Sequence, residues 1–216
     1  KNHQSKKIIV WGIQPYKNTR DDVTYIRCPN EHDLILEFMS FWTKNYPDVV
    51  TGWNTDFFDI PYLANRINQV CGESKMKELS PWGNVSSRKI YSMGRNHLMY
   101  DIMGVSQYDY LQLYQKFTYT KQESYKLDYI AQVELGEKKD ENPYETFREW
   151  YEKDFQSFID YNIQDVEIVD KLEDKMGLID LALTMAYEGK VNYTDVFGQV
   201  KYWDILIYNF LRKRKI

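Results

Sequence analysis

The chain of 216 residues has only two cysteines, Cys28 and Cys71. A lone pair without metal-ligand spacing excludes both a disulfide framework and a zinc site. Both are expected to stay reduced in an intracellular protein. The three histidines, His3, His32 and His97, show no ligand spacing and are expected at the surface. No Gly-rich phosphate loop, internal repeat or low-complexity tract occurs. No apolar run approaches membrane-spanning length, so no membrane partner is expected. A basic excess is missing too. The net charge of −4 argues against a protein that coats duplex DNA through many phosphate contacts, since such proteins present a basic face. It leaves room for a nuclease, in which acidic side chains hold a metal and the metal meets the phosphate. The polar opening carries no initiator methionine and no signal peptide, and reads as the interior of a longer protein.

Present instead are ample apolar residues and many aromatics. Hydrophobic residues make up 43% of the chain, enough for a core, and 19 tyrosines dominate the aromatic content. Tyrosine rings can stack on bases, but packing with the hydroxyl kept wet or bonded accounts for most of them. Residues 7–12 (KIIVWG) are β-branched and apolar, and 23–28 alternate; both read as strands. Asn30 is placed to cap a helix with Asp33 in its first turn. Leu34, Leu36, Phe38, Met39, Phe41 and Trp42 form its apolar face as far as Tyr46-Pro47. A short strand spans 49–53, and Pro61 opens a helix that stops near Gly72. Residues 89–92 and 98–107 predict a hairpin around the polar tip Gly94-Arg95-Asn96-His97. Helical spacing returns at 109–117 and 126–135, and a charged loop covers 136–142. The longest helix is expected over 146–175, lined by Phe155, Phe158, Ile159, Ile163, Val166 and Val169. Helices 178–187 and 200–211 precede a basic end. Early strands and late helices suit an α/β or α+β domain.

Two constellations carry possible chemistry. In Thr51-Gly52-Trp53-Asn54-Thr55-Asp56-Phe57-Phe58-Asp59, a strand gives way to a helix, and Asp59 sits at the connection. Ligands bind at the carboxyl ends of strands in α/β sheets, and a carboxylate there can hold a hard cation. Capping of the following helix is the commoner role for such an Asp. On the long helix, Tyr161 and Asp165 are four apart and share a face that is otherwise apolar. A carboxylate aimed at such a face is costly unless paired or metal-bound. A boundary Asp bonded to the tyrosine or to solvent fits the same spacing.

Taken together, these segments resemble the proofreading 3′→5′ exonuclease domain of family B DNA polymerases from large tailed bacteriophages. Residues 49–66 are similar to its second motif, an Asn followed by an aromatic-Asp pair. Tyr161 and Asp165 match the third, Tyr-x-x-x-Asp. Stretches around Gly72-Glu73-Ser74, Ser80-Pro81, 108–117, 124–130 and 200–211 resemble the family as well. The resemblance implies an α/β, RNase H-like fold, a mixed sheet flanked by helices, with a protruding β-hairpin. It implies carboxylates, Asp59 and Asp165 among them, that hold two divalent ions, Mg2+ or Mn2+. Tyr161 would orient the attacking water or the scissile phosphate. Asn54 and Phe58 would contact the frayed strand, and Arg95, Asn96 and His97 at the hairpin would face DNA. The partners implied are the single-stranded 3′ end of the primer and the rest of a polymerase chain, its palm and N-terminal regions, in the cytoplasm of an infected cell.

One element of that pattern is missing: no Asp-x-Glu occurs on a strand before Asn54. The family carries it on a first, central strand, upstream of residues 7–12. The expectation is therefore an exonuclease region over 1–177 that lacks this strand, with a hairpin at about 89–107, and a helical connection toward the palm over 178–216. No palm motif is present. Two carboxylates are too few to hold two ions tightly, so little nuclease activity is expected of the chain alone. The competing classes are a stand-alone RNA exonuclease and a non-catalytic single-stranded-DNA-binding or interaction module.

Overall fold

The computed structural model describes residues 1–92, 94–137 and 143–214, without the side chains of Ser92 and Arg95. The loop expected over 136–142 thus lies mostly outside the described residues. Strand β1 (Ile8–Gly12) pairs in parallel with β2 (Val23–Arg27), Ile8 opposite Val23 and Gly12 opposite Arg27. Helix α1 (Glu31–Lys44) begins where the sequence places it, with the Asn30 side chain accepting from the Asp33 N–H at 2.9 Å. Its inward face is Ile35, Met39 and Trp42, while Phe41 is 39% exposed. Ile35 was missed because the apolar residues of this helix are spread around more than one face. Trp11 of β1 packs on Phe38 and Phe41 at 5.5 and 5.4 Å.

Strand β3 (Val49–Gly52) is followed by α2 (Asp59–Cys71) and the short α3 (Glu73–Lys77). Then come β4 (Val85–Ser92) and β5 (Arg95–Ile102), an antiparallel hairpin, and β6 (Ser106–Asp109), which returns to pair in parallel with β3. The hairpin is longer than expected and its turn tighter. Asn96 and His97 lie not at a tip but within β5, opposite Tyr91 and Ile90. Gly94 adopts φ +77°, which allows a sharp turn, so pairing runs up to Ser92 and Arg95. The expected second strand also divides, because residues 106–109 pair with β3.

The remaining elements are helical: α4 (Tyr110–Phe117), α5 (Leu127–Leu135), α6 (Phe147–Lys153), α7 (Phe155–Met176), α8 (Leu178–Gly189), a 3-10 turn (Tyr193–Phe197) and α9 (Gln199–Lys213). The long helix expected over 146–175 breaks at Asp154. That residue leaves helical geometry (φ −142°, ψ 73°), and its side chain accepts from the Ser157 N–H. A side chain that bonds nearby backbone competes with helix continuation.

Helices and small sheets of both senses make a mixed α/β fold. Among the described residues, no hydrogen-bonded ladder joins the β1–β2 pair, the β3–β6 pair and the hairpin. Three apolar clusters hold them. Ile8 and Val23 pack on Phe155, Ile159 and Ile163 of α7. Helices α1 and α2 pack with the hairpin base through Met39, Ile60, Ala64, Ile67 and Ile102. The largest cluster joins Tyr108, Tyr110 and Tyr114 to Ile130, Ile168, Leu172 and Ala182. Those three tyrosines are 0% exposed, so they serve packing. Helix α7 spans the first and third clusters, which fixes where its polar residues point. No helix among the described residues is long and apolar enough to cross a membrane.

Candidate active site

The connection from β3 to α2 supplies one half of the site. Gly52 ends β3, and a Cβ there would lie 2.5 Å from the Thr55 methyl, so only glycine lets the turn fold back on itself. Asn54 takes the left-handed conformation, φ +65°, which Asn tolerates better than most residues. Asp59 is the first residue of α2, while Phe58 holds the capping position with no side-chain bond. The capping role for Asp59 is thereby set aside.

Helix α7 supplies the other half. Asp165 and Asp59 line one cavity of about 410 Å³, together with Thr51, Trp53, Val166 and Asp170. Val166, expected in the apolar core, is 41% exposed and faces this cavity. Asp59 is solvent-exposed at its side of the cavity. Its carboxyl is nevertheless raised above the usual range by the surrounding protein, and further by the charges of Asp109 and Asp165. Accumulated negative charge of this kind is what a divalent cation relieves, and carboxylate oxygens are the hard donors such a cation takes. Among the described residues, however, no group of three or more His, Cys, Asp or Glu could hold a metal ion.

Tyr161 lies one turn before Asp165 and does not line the cavity. Its ring packs against Trp150 at 4.8 Å and Phe147 at 6.1 Å, so α6 sets its position. Phe58 is 66% exposed on the turn entering α2. The hairpin reaches the same turn: the His97 ring packs at a tilt of 47° on Phe57, centroids 4.6 Å apart, and the Tyr100 hydroxyl donates to Asn65 of α2 at 2.6 Å. Asn96 is exposed on β5. The Arg95 side chain lies outside the described residues.

Sequence reasoning passed over Asp109. It is 1% exposed, at the end of β6 and the cap of α4. Its carboxylate accepts N–H bonds from Asn54 at 2.9 Å, Asp56 at 3.3 Å and Leu111 at 3.0 Å. It therefore ties the turn that presents Asn54 and Asp59 to the neighbouring strand. Burial raises its carboxyl, against those amides. The capping position before α4 was a readable signal; the contacts across to residues 54 and 56 were not. Asp56 beside it is pushed up to about 6, by burial and then by the Asp109 charge, although Gln112 donates to it at 2.9 Å.

Asp170 was also missed. It borders the cavity and binds Lys1 at 2.8 Å, His3 at 2.6 Å and Lys6 at 3.0 Å. Burial works to raise its carboxyl, but the bonds from these three residues outweigh it and hold it at about 2. His3 is thus half-exposed but engaged, not a bystander.

A family model described as the exonuclease domain of DNA polymerase family B matches residues 2–130. The chain belongs to this family. It is 40% identical over 193 residues to the DNA-directed DNA polymerase of Enterobacteria phage T4, covering 89% of the chain and 21% of that protein. It is 39% identical over 196 residues to the corresponding enzyme of Escherichia phage RB69, covering 90% and 21%. The DNA polymerase of Autographa californica nuclear polyhedrosis virus is 26% identical over 190 residues, covering 85% of the chain and 19% of that protein. A match of such length cannot avoid residues 59 or 165, so both halves of the site fall within the similarity to the family B polymerases. The chain spans about a fifth of the length of the phage relatives it matches.

Proposed function

We propose that this chain is the proofreading region of a replicative family B DNA polymerase, hydrolysing mispaired nucleotides from the single-stranded 3′ end of a primer. The observation that carries the reading is the convergence of Asp59 and Asp165, far apart in sequence, on one cavity in a chain of exonuclease-domain family. Asp59 and Asp165 would be ligands for Mg2+ or Mn2+. Two such ions supply an activated water and stabilise the leaving 3′ oxygen. Within the chain itself, Tyr161, held by Trp150, orients the water or phosphate from one helical turn away. Asn54 and Phe58 on the turn, with Arg95, Asn96 and His97 on the hairpin, contact the strand.

The finer architecture belongs to the same proposal. The β1–β2 and β3–β6 ladders are two parts of an RNase H-like sheet whose first, central strand carries the remaining acids. Residues 1–177 form the exonuclease region, and 178–216 lead toward the palm. Helix α9 supports this, since none of its residues is buried and Val200, Trp203, Ile207 and Tyr208 are more than half exposed. Its partners are then the rest of the polymerase and primer DNA, in the cytoplasm of a phage-infected cell. A second reading, a catalytically inactive module binding single-stranded DNA, is favoured by the lack of a three-carboxylate group among the described residues.

Degradation of a 3′-labelled single-stranded oligonucleotide with Mg2+ or Mn2+ decides between them. The chain, its Asp165→Ala variant and a form extended upstream through an Asp-x-Glu strand are compared. Cutting by the extended form, lost on Asp165→Ala in that form, supports proofreading. No cutting by the extended form leaves the binding module.

A further inference from the structure

A second groove lies away from the acidic cavity, at the end of α8. It measures about 450 Å³ and is lined by Ala186, Tyr187, Lys190, Val191, Tyr193 and Lys213, with Glu188 the single anion among its lining residues. Its frame is well held. A Cβ on Gly189 would lie 2.6 Å from the Tyr202 ring, so glycine lets α9 close onto α8. The Tyr202 hydroxyl donates to the Met185 carbonyl. Asp195 is buried and binds Asn192 and Lys201, which pins the 3-10 turn that carries Tyr193.

The groove's polar equipment is unspent. Tyr187 is 81% exposed and Tyr193 42%. Neither ring packs on another aromatic among the described residues, and neither the Lys190 nor the Lys213 ammonium has a hydrogen bond or ion pair there. Exposed rings beside unpaired ammoniums match a nucleic-acid strand chemically: bases stack on the rings and phosphates neutralise the cations. The sign of charge is opposite to that of the cavity holding Asp59, Asp165 and Asp170, which repels phosphate without a metal.

We propose that this groove is a metal-independent binding site for a single-stranded DNA segment, with Tyr187 and Tyr193 as stacking platforms and Lys190 and Lys213 as phosphate contacts. The inference rests on the proposed action on single-stranded DNA but not on the cleavage chemistry.

The test is fluorescence anisotropy of a labelled oligothymidylate in EDTA, across a salt series. Wild type should bind. The double variant Lys190→Glu/Lys213→Glu should bind at least roughly tenfold more weakly, with the slope of log K against log salt reduced by about 1.4, at 0.7 per phosphate contact. Each of Tyr187→Ala and Tyr193→Ala should weaken binding roughly tenfold. Asp59→Asn/Asp165→Asn should not weaken this binding, since it removes only charges that repel phosphate. All substituted groove residues are exposed, and unchanged thermal melting verifies that the variants fold. The proposal is overturned if wild type does not bind in EDTA, or if the double lysine variant keeps wild-type affinity and slope. If binding instead depends on Asp59 and Asp165, DNA sits in the acidic cavity: the groove assignment fails while the proposed function stands. Cutting by the upstream-extended form without any binding at the groove would separate the two in the same way.

Discussion

Replacing Asp109 by Ala would withdraw one buried acceptor from three backbone N–H groups. Two of the bonds, to Asn54 and Leu111, have good length at 2.9 and 3.0 Å; the third, to Asp56, is long at 3.3 Å. A buried donor left without a partner costs about 1–3 kcal/mol, and loss of a helix cap about 0.5–2 kcal/mol. Counting the Asn54 amide as the first and the Leu111 amide as the second, the loss is roughly 1.5–5 kcal/mol. Removal of a buried charge that raises Asp56 offsets some of it, leaving about 1–4 kcal/mol. That is a large share of the ~5–15 kcal/mol that holds a domain folded. Urea unfolding at pH 7 measures it. Asp109→Asn keeps an acceptor oxygen and should cost less than half as much. In both variants the Asp56 carboxyl, followed by NMR titration, should fall from about 6 toward the ordinary carboxylate range, because one cause of its elevation is gone. A cost below about 0.5 kcal/mol for Asp109→Ala, or an unmoved Asp56, would refute the view that Asp109 clamps this turn.

Stability should pass through a maximum near pH 4. Asp56 is raised to about 6 in the fold, so the native state holds its proton where the unfolded chain does not, and stability declines as pH rises from about 4 to 6. Asp170, held at about 2, acts oppositely: its contribution is present above about pH 4 and is lost as pH falls toward 2. Urea midpoints over pH 2–7 should therefore flatten on the upper limb in Asp56→Asn and on the lower limb in Asp170→Asn; unchanged limbs would contradict the assignments. Trp150→Ala, which empties a site only 2% exposed and removes the bond to Ser157, should cost about 3–5 kcal/mol and take from Tyr161 the nearer of the two α6 rings that pack on it. A variant as stable as wild type would show that α6 does not hold Tyr161.

Much of the local structure was readable from short stretches. The Asn30 cap, the strands around residues 8–12, 23–27 and 49–52, and the helix stop at Gly72 each depend on groups within a few residues. The i, i+4 spacing of Tyr161 and Asp165 was likewise visible, as were the motifs by which the chain resembles its family. Local hydrogen bonds and side-chain periodicity encode such features directly. Other features depend on which surfaces pack. Asp59 and Asp165 meet because α7 is anchored on β1 and β2 at one end and on the tyrosine cluster at the other. The buried Asp109 reaches the Asn54 turn only because β6 returns beside β3. The hairpin register moved Asn96 and His97 off the tip and set His97 on Phe57, since strand pairing is a long-range choice. A sequence window holds the donor and the acceptor of a cap, but the two walls of a cavity lie too far apart along the chain for any window to contain both.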